Sequence, residues 1–142
     1  MKKVIGLVAF GLVACSPKMV EVDLSSAGLN ATMQAPEGAQ VERKPLGVVV
    51  TAEQFEVSVW NRTRDLAEER ARGSQDRYTL VVDEADAVLL EFEAMGGPFY
   101  TATVNVDVGG SPWSCATDPL ANVNDEAAGM RMLEACRSLK AK

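Results

Sequence analysis

Phe99-Tyr100-Thr101-Ala102-Thr103-Val104-Asn105-Val106-Asp107-Val108 is the stretch on which the fold turns. Tyr100, Ala102, Val104, Val106 and Val108 fall on one side of an extended chain, and Thr101, Thr103, Asn105 and Asp107 on the other. A period of two predicts a strand with one buried and one wet face. Gly109-Gly110 then marks a tight hairpin turn into the run Pro112-Trp113-Ser114-Cys115-Ala116.

Upstream, the same chemistry recurs. Residues 78–82 and 87–93 are apolar runs joined by the polar link Asp83-Glu84-Ala85-Asp86, which predicts an antiparallel hairpin; residues 95–98 supply the next turn. Val48-Val49-Val50-Thr51 is β-branched throughout, and Phe55, Val57 and Val59 alternate with Glu56, Ser58 and Trp60. Residues 19–24 alternate apolar and acidic side chains and predict a first strand, broken at residues 25–28. A second strand is expected over 29–33, then a Pro36-Glu37-Gly38 turn, a short extended piece at Val41 and a connection over 44–47.

Two segments read as helix. Residues 65–72 are rich in helix formers and predict a short, exposed helix, with Asp65 as N-cap and an expected Glu68–Arg72 ion pair four residues apart. Near the end, Asn124 is the expected N-cap, with Asp125 and Glu126 complementing the positive helix end. Gly129, Met132, Leu133, Cys136 and Leu139 recur at steps of three and four and form an apolar stripe. The expected fold class is α+β: an antiparallel β-sheet covered by a C-terminal amphipathic helix, plus a short mid-chain helix.

Three features together resemble the Mog1/PsbP-like fold of small bacterial lipoproteins. They are the Pro36-Glu37-Gly38-Ala39 turn, the strand of residues 55–59 leading to the Asp65-Leu66 helix, and the closing helix that ends in Cys136-Arg137-Ser138-Leu139. The resemblance covers most of residues 29–140. It implies an accessory or binding module, and a fold alone assigns no activity.

The N-terminus gives an address. Lys2 and Lys3 form a positive region, residues 4–13 an apolar one, and Ala14 precedes Cys15. That is the layout of an export signal, too short for comfort as a membrane-spanning helix; an ordinary secretory signal with Cys15 merely near the cut is the competing reading. Leu12-Val13-Ala14-Cys15 resembles the lipobox of bacterial lipoproteins. The resemblance implies cleavage before Cys15, a diacylglyceryl group on its sulfur, an acylated new amino terminus (palmitate-type chains) and a bilayer as partner. Ser16, in place of the aspartate that retains enteric-type lipoproteins at the inner membrane, implies the outer membrane. Residues 1–14 are thus expected as signal peptide, 15–18 as lipidated cysteine and short tether, and 19–142 as one domain.

Removing 14 residues from 142 leaves 128, a size for one modest core. Without Lys2 and Lys3 the 14 basic residues fall to 12 against 20 acids, a formal charge of −8. Nucleic acid is not an expected partner, since phosphate binding needs a basic patch.

Histidine is absent, and with it the commonest general base and neutral metal ligand. Neither a metal nor a cofactor is expected. With Cys15 lipidated, Cys115 and Cys136 remain for an oxidising compartment, and a disulfide is the expected pairing; a redox-active pair or two buried thiols are the competing readings. The Asp83, Glu84, Asp86 cluster has some calcium-ligand spacing but lacks an EF-hand's glycine and distal glutamate, so a polar turn is expected. Ser114 has no histidine to activate it, and Ser138 beside Lys140 is the one conceivable nucleophile pairing, at a solvated helix end. No catalytic residue is expected and the protein is read as a non-enzyme.

Trp60, Arg62 and Arg64 are the candidate interaction residues, an aromatic beside two arginines of the kind that anchors protein contacts. The competing reading of Trp60 is a packed strand end. Trp113 is expected to cover the disulfide. The function expected is an envelope binding module with a protein partner; an immunity or inhibitor lipoprotein acting on an envelope enzyme is the specialised alternative, and a small carboxylate or Ser/Lys enzyme the weaker one.

Overall fold

The computed structural model describes residues 16–118 and 121–142; the signal, cleavage and acylation expectations for residues 1–15 lie outside them. The fold is α+β, built from antiparallel sheets and two helices.

Strands β1 (Met19–Asp23) and β2 (Ala31–Pro36) pair with β10 (Lys140–Ala141) in the order β1-β2-β10. The 3-10 turn Ser25–Ala27 and Gly28, at a left-handed φ of 94°, link β1 to β2. The second strand therefore starts later than the expected 29–33. Leu24 N–H donates to the Ala31 carbonyl, so residues 25–30 are spent on the turn.

The larger sheet comprises β3 (Gln40–Lys44), β4 (Gly47–Ala52), β5 (Phe55–Trp60), β6 (Tyr78–Asp83), β7 (Ala87–Ala94), β8 (Gly97–Val108) and β9 (Ser111–Ala116). Its spatial order is β3-β4-β5-β9-β8-β7-β6, every neighbour antiparallel. The connection read at residues 44–47 is a hairpin turn, since Lys44 pairs with Gly47.

On the inner face, Val48, Val50, Val57, Val59, Ala102 and Val104 form the core with helix α2 (Glu126–Arg137) and with Met33 and Ala35 of β2. Met132, Leu133 and Cys136 of α2 are fully buried, as the stripe predicts. Gly129 lets the helix approach: a Cβ there would lie 2.9 Å from the Tyr100 Cβ. The cap is Asp125, not the expected Asn124. Asp125 is extended and its carboxylate accepts from Ala127 N–H, whereas Asn124 N–H is held by the Gln54 side chain.

Cys115 on β9 and Cys136 on α2 are joined, Cα atoms 5.4 Å apart. The bond staples helix to sheet, and closing a loop of 21 residues contributes about 3 kcal/mol in the chain-entropy model.

The outer face departs from the expectation of a wet surface. Helix α1 (Leu66–Arg72), capped by Asp65, lays Leu66 on Val88 and Leu90, with Tyr78 and Leu80 packed alongside. Thr103, read as wet, is buried. Within α1, Arg72 pairs with Glu69 at 3.3 Å rather than with Glu68, because Glu69 faces inward and keeps its carboxylate beside the guanidinium.

Candidate interaction surface

The outer face of the large sheet is covered unevenly. Over β6 and β7 lies α1; over β3, β4 and β5 lies an open cavity of about 560 Å³ floored by Val49, Thr51, Glu56 and Ser58. Trp60 stands at the divide. It ends β5, opposite Gly47 on β4 and Ser114 on β9, and Ser114 in turn faces Asn105 on β8. Trp60, Ser114 and Asn105 thus form one row across three strands, all on the outer side. Gly47 makes room for the indole, since a Cβ at that position would lie 2.8 Å from Trp60 Cδ1 and 1.9 Å from the Val59 carbonyl oxygen.

The segment after β5 is held down by that row. The Asn105 side-chain carbonyl accepts from Arg64 N–H at 2.9 Å, and its amide donates to the Arg64 carbonyl at 2.8 Å. Arg64 is returned over the indole, its guanidinium carbon 4.2 Å from the ring centroid, with that of Arg62 at 5.4 Å. Cations over the face of an indole are attracted by its quadrupole. Burial pushes the Arg64 pKa below its usual value; Glu69 opposes that shift, while Arg62 and Arg72 add to it. Among the described residues neither Arg62 nor Arg64 forms an ion pair within 4 Å. A second cavity of about 410 Å³ opens here, walled by Trp60, Arg62, Arg64, Glu68 and Arg72.

The three candidate interaction residues are therefore brought together. Sequence reasoning missed what surrounds them: Asn105, which fixes Arg64, and Leu46, a 65% exposed residue beside the same sheet cavity. Asn105 carried a signal, as the polar residue facing Ser114 in a predicted hairpin; Leu46 carried none. The Ser114 hydroxyl, in the middle of this row, is buried without a hydrogen-bond partner among the described residues.

The other candidates take structural positions. Ser138 Oγ donates to the Ala135 carbonyl and accepts from Gln34 N–H at 2.7 Å, while Lys140 Nζ pairs with Glu21 at 3.2 Å. Serine and lysine are engaged separately. In the acid cluster, Asp83 binds Arg70 at 2.6 Å, and Glu84 and Asp86 both pair with Arg137. The turn clasps α1 to α2 through two arginines. Burial alone would lower the Arg137 pKa, but Glu84 and Glu134 outweigh it and hold it raised. Trp113 shares the face of Cys115 two residues away and lines a separate cavity of about 370 Å³ with Gly28, Leu29 and Arg43.

Among the described residues no helix is long and apolar enough to cross a membrane. No protein-family model matches the chain, and no curated protein or solved structure matches it.

Proposed function

We propose that this chain is a lipid-anchored bacterial envelope protein, displayed on the outer membrane, whose Mog1/PsbP-like domain binds another envelope protein without catalysing a reaction. The observation that carries the binding reading is the Trp60 row. It is an aromatic with two stacked arginines, set between an open cavity on the uncovered half of the sheet and a second one against α1. Trp and Arg are the side chains that most often dominate protein contacts, because each presents large area and directed hydrogen bonds. Leu46 adds an exposed apolar anchor beside them.

The position of the surface suits an anchored protein. β1 runs away from the tether, and the turn that follows it sets Gly28 beside the Arg43 side chain, which a Cβ at that glycine would meet at 3.9 Å, next to the Pro45-Leu46 hairpin tip. Five strand residues separate the tether from that end, a rise of about 17 Å. A partner would thus meet the Leu46 end away from the bilayer.

The chain as a whole is acidic, with 20 Asp and Glu against 14 Lys and Arg, and that balance supports a narrower form of the same reading: an inhibitor or immunity protein whose target offers complementary basic groups. The test is crosslinking in native membranes, comparing the unaltered protein with Trp60→Ala and with Arg62→Ala/Arg64→Ala. One envelope protein crosslinked to the native chain, and lost in both variants, is the expected result. A partner retained equally by all three chains would refute this surface.

A further inference from the structure

A groove on the opposite side of the domain has a different character. It lies between β2 and the outer flank of α2, has a volume of about 340 Å³, and is lined by Met19, Gln34, Met130, Arg131, Glu134 and Ala135. Both methionines are only partly buried against the core, so their thioethers and the arginine stem form a soft apolar trough. Such a trough adapts to a flexible aliphatic guest better than to a rigid one.

What lies nearest to it is the tether. The Lys18 carbonyl accepts from Glu37 N–H at 2.8 Å, and its ammonium lies 3.8 Å from the Glu37 carboxylate, so the folded domain begins at residue 18. Only Ser16 and Pro17 separate it from Cys15. Proline fixes its own φ and biases the preceding residue toward extended backbone, so this link is short and stiff. Three residue steps span at most about 11 Å. Met19, the next residue, is already a wall of the groove.

We infer that the groove between β2 and α2 seats one acyl chain of the lipid carried on Cys15. This rests on the anchored reading above. Each methylene laid against the two methionines leaves water, while Arg131 and Glu134 supply the charged part of the lining. A seated chain is withdrawn from the bilayer, so the protein's grip becomes adjustable: fewer inserted chains hold it less firmly.

The test uses the full chain as isolated from its own membranes, with ¹³C-methyl methionine, in nanodiscs of perdeuterated lipid. The mass of the Cys15 peptide is measured on the same sample. The expected result is an acylated Cys15, with nuclear Overhauser contacts from acyl protons to the Met19 and Met130 methyls but none to the fully exposed Met95. Contacts that arise only when the bilayer lipid carries protons would mean that the groove meets the membrane instead, overturning the seat. An acylated Cys15 with no contact in either disc would overturn the seat and leave the anchor standing. An unmodified Cys15 would overturn the anchor itself. Met130→Glu spoils the trough at a partly exposed helix position; it should abolish the Met19 contact and slow release from vesicles about tenfold, because the freed chain joins the bilayer. An unchanged release rate would count against the seat.

Discussion

The side chain of Asn105 pairs with both backbone polar groups of Arg64, so a residue in the middle of a strand closes a two-bond ring onto a loop 41 residues earlier. That ring transfers the rigidity of β8 to the segment that carries the two arginines. Asn105→Asp keeps the acceptor and loses the donor, whereas Asn105→Ala loses both. Each lost bond should cost about 1 kcal/mol. The expected order of partner retention in crosslinking is native, then Asp, then Ala. Equal retention in the three would show that the loop holds its shape without the sheet.

Close approach of α2 to the sheet gives a prediction at Gly129. An added methyl must displace Tyr100 and Leu89, so Gly129→Ala should destabilise by about 1–3 kcal/mol despite alanine's better helix propensity. Denaturant unfolding measures this. A stabilised variant would mean that the helix shifts without loss.

Reduction of the Cys115–Cys136 bond should lower stability by about 3 kcal/mol, because the 21-residue loop regains its freedom in the unfolded chain. The comparison is thermal unfolding with and without reductant. The Cys115→Ala/Cys136→Ala chain should match the reduced protein and no longer respond to reductant.

Tyr100 provides a pH dependence. Its hydroxyl donates to the Glu91 carboxylate at 2.7 Å; that bond first, then burial, then the charges of Glu91, Glu126 and Glu93 push its pKa up to about 12. A phenol unfolds to a pKa of about 10. The neutral form is therefore favoured by the fold, and this contribution is complete below about pH 10 and lost as pH rises toward 12. Tyrosinate absorbance of the Tyr78→Phe chain isolates Tyr100. Titration near 10 in the folded protein would show that the Glu91 bond does not form.

The acid clasp can be tested apart from the binding surface. Arg137→Ala removes the partner of Glu84, Asp86 and Glu134 from one guanidinium that is three-quarters withdrawn from water. It should destabilise the domain by about 1 kcal/mol, since these pairs are largely exposed at their carboxylates and are screened by salt. Crosslinking through Trp60 should persist. Loss of the crosslink in this variant would tie the clasp to the interaction surface.

Much of the architecture was legible because alternation and turn chemistry act locally. The strand of residues 99–108, the Asp65 cap and the α2 stripe all follow from spacing alone. What was not legible depended on partners far away in the chain. The outer face around Thr103 reads as polar, yet Leu66 covers part of that half-sheet from a helix whose own sequence reads as exposed. Likewise Asn124 and Asp125 are equivalent caps by residue type, and the choice was made by Gln54, 70 residues earlier. At the interaction surface, Trp60, Arg62 and Arg64 were visible as neighbours, but their stacking depends on Asn105.

The small sheet ties together segments far apart in the chain. β2 lies between β1 and β10, and Lys142 reaches Asp23 at 2.5 Å, so the first and last described strands close on a common neighbour. The helix that completes the core also arrives last, bringing Cys136 to Cys115. Loop-closure entropy must be met before contacts this distant can form. A chain threaded through a translocation channel from its N-terminus would thus hold β1, β2 and Cys115 on the far side with no C-terminal partner until residues 126–141 emerge. Such a chain stays pliable until those residues appear, and only then can Cys115 be sealed to Cys136.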